Sequence, residues 1–374
     1  MKLRDVIFWI HLTVGITVGL IVLIMSVTGT MLAFRHEIIG FAERRMQNVA
    51  PQTSGAQKLS LAVIIAKAQE VQPQASPSAL TLRSSPNASV AVNFGREHVV
   101  YVNPYTGDIL GQGSKTHDVL EKIEVWHRWL GMEGKLKSLG HNIKGVCTIA
   151  FLLMVISGLY LWWPREWNWK TLKMVTTFNP NASGKAKDFN WHNVIGFWCA
   201  PLLIIIALTG IIMSYTWANN LLYRMAGNDP PAAQSKEEKK EEKPPQLDLN
   251  VIDLAVLKAQ EKVPGWVLMN IRFPAKAGAP VSVSIKESGH FNPNPRSQLN
   301  IDPVTLETVK WEPFSEQVLG KRLRTWARYL HTGEAGGLIG KTIAFFASLA
   351  ATLLVWTGTA MAWYRFCIWR SRKI

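Results

Sequence analysis

Cysteine is scarce in this chain of 374 residues: Cys147, Cys199 and Cys367 are the whole complement, and none belongs to a C-x-x-C or C-x-x-C-H pair. Neither a disulfide framework nor covalent haem attachment is indicated; all three lie in or beside apolar stretches and are expected to be small packing residues. No G-x-G-x-x-G and no H-E-x-x-H occurs, so neither a dinucleotide site nor a zinc protease is evident. "AGGLIGKT" at 335–342 has Ala335 where a P-loop needs glycine, and it runs into an apolar stretch instead of following a strand. Charge has the largest gaps: residues 6–34, 145–164, 190–223 and 342–364 contain no Asp, Glu, Lys or Arg.

What fills those windows is apolar, in a chain that is 48% hydrophobic with 16 tryptophans and a formal net charge of +15. Each window reaches or approaches the roughly 20 residues that cross a hydrocarbon core about 30 Å thick. Four transmembrane helices are expected, over 6–34, 138–163, 190–217 and 336–364. The first window is about twice as long as a signal-peptide core and lacks a convincing small-residue cleavage site before Arg35, so it reads as a retained helix. Lys2 and Arg4 precede it, Arg165, Lys170, Lys173, Lys185 and Lys187 fill the loop 164–189, and Arg365, Arg370, Arg372 and Lys373 end the chain. Cations in short flanks mark the cytoplasmic side. Both termini and the loop are therefore expected inside a bacterial inner membrane, with Trp162, Trp163, Trp167 and Trp169 at that interface. The two long segments, about 36–137 and 218–334, then face the periplasm. Basic residues that flank apolar spans do not suggest a nucleic-acid partner.

The chain repeats itself. At an offset of 181 the first and third spans align His11 with His192, Gly15 with Gly196, Thr28 with Thr209 and Gly29 with Gly210. At an offset of 200 the second and fourth align Trp126 with Trp326, Arg128 with Arg328, Leu130 with Leu330, Gly140 with Gly340, Ile143 with Ile343 and Gly158 with Gly358. "KAQE" recurs at 67–70 and 258–261, and "VNPYTGDIL" at 102–110 has its echo in "IDPVTLETV" at 301–309. The reading is a tandem duplication of helix, outer module, helix. The first module falls within 36–125 and the second within 248–320, after a charged linker at 232–247 that contains "SKEEKKEEKPP". "LSLAVIIAKAQEV" has helical periodicity, "ASVAVNF" and "HVVYVN" alternate like paired strands, and "NPYTGD" supplies a turn. Each module thus reads as an α+β unit of a helix and a hairpin.

Parallel repeats imply a pseudo-two-fold axis along the membrane normal, which places His11 and His192 at one depth on facing helices. An ionisable side chain in a span is by default functional, and neutral imidazole is a frequent axial ligand of haem iron. Two histidines on facing helices can clamp one haem. Every span also carries a small pair, Thr28-Gly29, Ser157-Gly158, Thr209-Gly210 and Thr357-Gly358, which is expected to leave room for a flat ring. His11 and Gly29 are eighteen residues apart, about 27 Å along a helix. Gly158 and Gly358, on helices running the other way, therefore reach the depth of His11 and His192. At the other end the candidates are His36, His127, His141 and His331. The favoured pair is His127 and His331, four positions apart in repeat register; His141 is aligned with Lys341 and His36 with Trp217. His98, His117 and His290 read as surface residues.

His11, "HRWL" at 127–130, "SGLYLWWPR" at 157–165, His192 with Gly196 and "LHTG" at 330–333 together resemble the PepSY-associated transmembrane family, over nearly the whole chain. The resemblance implies PepSY-like modules at about 58–112 and 248–310, and a likeness to iron-regulated inner-membrane proteins that include ferric-siderophore reductases binding haem b. It marks His11, His127, His192 and His331 as the family histidines. The expected fold class is a membrane protein: a four-transmembrane-helix bundle from a tandem repeat, with two periplasmic α+β PepSY-like modules. The expected function is outward electron transfer through two haem b groups to a ferric siderophore, with a quinol or a cytoplasmic reductase as donor and no catalytic residue assigned. The competing expectations are an iron or siderophore permease accessory and a non-catalytic PepSY interaction protein.

Overall fold

A computed structural model describes residues 2–50, 56–95, 98–164, 166–231, 250–274, 276, 278–288 and 295–372. The expected linker and His290 lie outside the described residues. In chain order the elements are α1 (Leu3–Leu32), α2 (Arg35–Ala42), α3 (Arg44–Gln47), α4 (Leu61–Val71), β1 (Ala79–Arg83), β2 (Val90–Phe94), β3 (His98–Val102), β4 (Ile109–Gln112) and α5 (Lys115–Trp129). There follow α6 (Lys137–Trp162), α7 (Trp169–Thr176), α8 (Gly184–Ser214), α9 (Thr216–Met225), α10 (Asn250–Lys262), β5 (Trp266–Arg272), β6 (Val281–Glu287), β7 (Arg296–Ile301), β8 (Thr308–Glu312), α11 (Leu319–Thr332) and α12 (Gly337–Ser371). The chain divides into two compact units, one of Met1–Phe34, Lys122–Pro230 and Leu319–Ile374, the other of Arg35–Glu121 and Pro231–Val318.

The first unit is helical. Its α1, α6, α8 and α12 are long and apolar enough to cross a membrane, as a multi-pass membrane protein requires. Both α1 and α8 border α6 and α12, so α1 and α8 stand diagonally across a ring of four. Neighbours in the ring run antiparallel. One end of the bundle holds the chain termini; at the other end α1 and α8 finish and α6 and α12 begin.

Helix ends differ from the charge-free windows. α8 starts at Gly184, before the expected 190, and α12 continues to Ser371, past the expected 364. A helix satisfies its backbone whatever its side chains, and Lys185, Lys187, Arg365 and Arg370 can extend it with their heads in water. Trp162 is not an interfacial anchor. It is buried, stacks on Phe197 with ring centres 4.1 Å apart, and donates its indole N–H to the Val175 carbonyl at 3.1 Å. Trp163, Trp167 and Trp169 are exposed. Cys147 is buried within α6 and Cys199 partly buried, whereas Cys367 is exposed on α12, so packing does not account for it.

The second unit is larger than two hairpins with helices. Each segment contributes four strands, and the eight form one antiparallel sheet ordered β4-β3-β2-β1-β5-β6-β7-β8. The two modules are continuous with each other through the β1–β5 pairing, where Leu80 lies opposite Ile271. Those residues are 191 apart, as are the two "KAQE" segments. That pairing removes two exposed strand edges, which would otherwise be templates for association. Helices α4 and α10 cover one face, with Ile64, Ile65 and Ala68 of one and Ile252, Ala255 and Ala259 of the other buried against Leu80, Val92, Met269, Ile271, Val283 and Leu299. The Asp253 carboxylate accepts the Leu61 N–H at 3.1 Å, tying the start of α4 to α10.

Candidate functional site: four histidines in the helical unit

Four histidines in the helical unit share one environment. His11 on α1 has its Nδ1 2.9 Å from Ser157 Oγ on α6, and His192 on α8 has its Nδ1 2.9 Å from Thr357 Oγ1 on α12. At the other end of the bundle, His127 Nδ1 lies 2.9 Å from Thr28 Oγ1 on α1, and His331 Nδ1 lies 3.2 Å from Thr209 Oγ1 on α8. In every case the hydroxyl belongs to a Ser/Thr-Gly pair, and the glycine lies under the imidazole edge. A Cβ on Gly158, Gly358, Gly29 or Gly210 would come within 3.4, 3.3, 3.4 or 3.1 Å of the Cε1 of His11, His192, His127 or His331 respectively. The small pairs do not simply leave a gap for a ring. They seat the histidines.

This arrangement assigns the tautomer. Each hydroxyl has one proton, and the helix takes it: Thr28 donates to Ile24 O at 2.6 Å, Ser157 to Met154 O at 3.1 Å, Thr209 to Ile205 O at 2.7 Å and Thr357 to Leu353 O at 2.8 Å. The oxygen can then only accept from imidazole, so Nδ1 carries the hydrogen. His331 meets the same demand from a group that never donates, the Ile206 carbonyl at 2.9 Å. Backbone carbonyls of Met25 and Leu354 similarly face His127 and His192. In its neutral form each of the four imidazoles then keeps its lone pair on Nε2, the form that binds metals.

His11 on α1 and His192 on α8 occupy diagonal helices at the terminal end of the bundle. His127, near the end of α5, and His331, near the end of α11, have ring centres 6.3 Å apart with planes 58° to one another. Two imidazoles on opposite sides of one metal, with bonds of about 2.0 Å and roughly 1.1 Å from nitrogen to ring centre, would stand about 6 Å apart. Among the described residues no third His, Cys, Asp or Glu joins either pair. A bare metal would have half of the usual four ligands, whereas haem brings four nitrogens of its own and needs two more. The residues fit that group.

Glycine also fixes the helices that carry the second pair. A Cβ on Gly140 would lie 2.1 Å from the Trp129 carbonyl oxygen, and one on Gly340 2.2 Å from that of Gly333. Because those distances are impossible for any other residue, the ends of α5 and α11 can rest directly on the starts of α6 and α12.

A family model described as the PepSY-associated TM region matches residues 8–365. The chain belongs to that family. No curated protein matches it. The match takes in both the spans and the sheet, so the PepSY-associated TM region here comprises four apolar helices and an antiparallel sheet unit.

The other candidates separate from the four. His141 gives its Nε2 to the Ser214 carbonyl at 2.9 Å, which leaves that nitrogen no free lone pair. His36 and His98 are exposed residues of the sheet unit. His117 is not a plain surface residue: its Nδ1 lies 3.3 Å from the wholly buried Glu43 carboxylate. Glu43 also accepts from the Tyr101 hydroxyl at 2.6 Å and the Ser114 N–H at 2.9 Å. Burial alone would raise its pKa, but His117, Ser114 and Tyr101 outweigh it and hold the carboxyl down at about 2. The same carboxylate pushes His117 above its ordinary value. The near P-loop at 335–342 comprises the end of a 3-10 turn over Glu334–Gly336 and the first residues of α12, not a loop between strand and helix.

The sequence missed the hydroxyls as histidine partners. The signal was present, since all four glycines of the small pairs are preceded by Ser or Thr, yet packing alone accounts equally well for such pairs in membrane helices.

Proposed function

We propose that this PepSY-associated protein is a two-haem b electron carrier that reduces ferric siderophores on the periplasmic side of the bacterial inner membrane and so releases ferrous iron. The observation that carries the reading is the 6.3 Å separation of His127 and His331, each holding a hydrogen on Nδ1 and presenting Nε2. His11 and His192 would hold the second haem near the cytoplasmic face, by the same hydroxyl and glycine arrangement. When bound, haem supplies reversible one-electron chemistry. His11, His192, His127 and His331 would hold the haems through Nε2, and the chain would supply the hydrogen-bond partners that fix each Nδ1.

A tandem duplication would account for equivalent ligand seats at both ends, and the Lys and Arg of the short flanks support cytoplasmic termini. Electrons would enter at the His11 and His192 end from a quinol or a cytoplasmic reductase and leave at the other. Reduction suits iron release because hard oxygen ligands hold ferric iron far better than the softer ferrous ion. The test is a dithionite-reduced absorption spectrum of the purified protein, followed by addition of a ferric hydroxamate with a ferrous chelator. The reading expects b-type bands that bleach as the ferrous complex forms. Bands that persist unchanged would leave an electron carrier with another acceptor.

A further inference from the structure

The bundle contains a buried cation that the histidine pairs do not use. Lys144 on α6 is 9% exposed, and its Nζ donates to Ser214 Oγ at 2.6 Å. Ser214 passes its own proton to the Gly210 carbonyl at 2.7 Å, so the hydroxyl offers only its dipole. Among the described residues no carboxylate lies within ion-pair distance of this ammonium. Its charged neighbours are cationic or cation-forming: it acts electrostatically on His127 and His331 and feels Arg128. A lysine so placed in an apolar bundle is costly without an anion and marks a binding function.

The position of Lys144 identifies the anion. Thr148, one turn further along α6, has its Cγ2 3.7 Å from the place a Gly210 Cβ would take, and His331 Cε1 is 3.1 Å from the same place. Lys144 and Ser214 lie one turn from Thr148 and Gly210, about 5–6 Å along the helix axes, away from the imidazoles and toward the end where α6 begins. An anionic group hanging from the edge of a planar ring gripped by His127 and His331 would reach that level. We infer that Lys144, held by Ser214, binds a propionate carboxylate of the haem seated between His127 and His331. This rests on the haem reading above and adds to it the direction in which the ring faces.

The experiment uses the full chain with its haems in detergent, as wild type, Lys144→Gln, Lys144→Met and Lys144→Arg. Loss of a positive charge beside a propionate disfavours the reduced haem. The expected effect in the glutamine and methionine variants is a tenfold shift toward the oxidised form of one haem, about 59 mV for one electron. The other haem, held by His11 and His192, is expected to keep its potential. The redox-difference infrared spectrum should change in its carboxylate bands, and Lys144→Arg should restore both signals. Both haems present with unchanged potentials and carboxylate bands would overturn the inference while leaving the haem reading intact. Loss of co-purified anionic phospholipid with unchanged potentials would assign the lysine to a lipid phosphate instead. A wild-type protein without haem would refute the earlier reading, and this one with it.

Discussion

Ser157→Ala and Thr209→Val remove the same kind of group from two histidines, yet they are expected to differ in outcome. Ser157 Oγ, 2.9 Å from His11 Nδ1, is the only polar partner the described residues offer that nitrogen. Its loss leaves a part-buried N–H unsatisfied and the ring free to turn, at about 1–2 kcal/mol, or roughly tenfold in haem retention. His331 keeps the Ile206 carbonyl at 2.9 Å, closer than the Thr209 hydroxyl at 3.2 Å, so Thr209→Val forfeits the weaker of two bonds. The expected loss there is about twofold or less. The assay is the rate of haem transfer from each purified variant to an excess of a haem-free acceptor protein, read at the Soret band. Equal rates for the two variants, or Ser157→Ala indistinguishable from wild type, would refute the claim that these hydroxyls orient the imidazoles.

Gly210→Ala sets a methyl carbon 3.1 Å from His331 Cε1, so the ring must shift by a few tenths of an ångström; a changed absorption spectrum for one haem of two, with the fold retained, is the expected result. Gly140→Ala cannot be accommodated at 2.1 Å from the Trp129 carbonyl oxygen and is expected to displace the end of α5, lowering occupancy at His127 while the His11 site stays filled, as haem counting would show. In the sheet unit, Glu43→Gln removes a carboxylate whose pKa falls from 4.5 to about 2 on folding, worth about 3 kcal/mol at neutral pH. The sign differs for its partner. The Glu43 contribution is present above about pH 4.5 and lost as pH falls toward 2, whereas that of His117, raised on folding, is complete below about pH 6.5 and lost as pH rises through its folded value. Thermal melts of the wild type should peak between those limits, and the Glu43→Gln profile should be flatter on both sides; an unchanged profile would show that the pair contributes nothing.

How much was legible depends on the kind of pattern. The four spans could be read because an uninterrupted apolar run has few other meanings. The sheet was only half legible. "HVVYV" reads as a strand from its β-branched and aromatic residues, although four in a row are buried instead of alternating, and "ALTLR" does alternate, but its register depends on β5, nearly two hundred residues away, and no local pattern encodes such a partner. Trp162 was misplaced because a tryptophan at a span's end reads as an anchor until Phe197 is seen to stack on it. His117 was misread because Glu43, which gives it a role, is distant in the chain. Lys144 fell at the edge of a charge-free window, where lysine ordinarily marks the end of a span.

The most direct test is the haem content of the four single variants His11→Ala, His192→Ala, His127→Ala and His331→Ala, compared with wild type by reduced pyridine spectra per mole of chain. The account predicts two haems in the wild type and one in every variant, the first two variants sharing one residual spectrum and the last two sharing the other. A wild type without haem, or a variant that retains both, would contradict it.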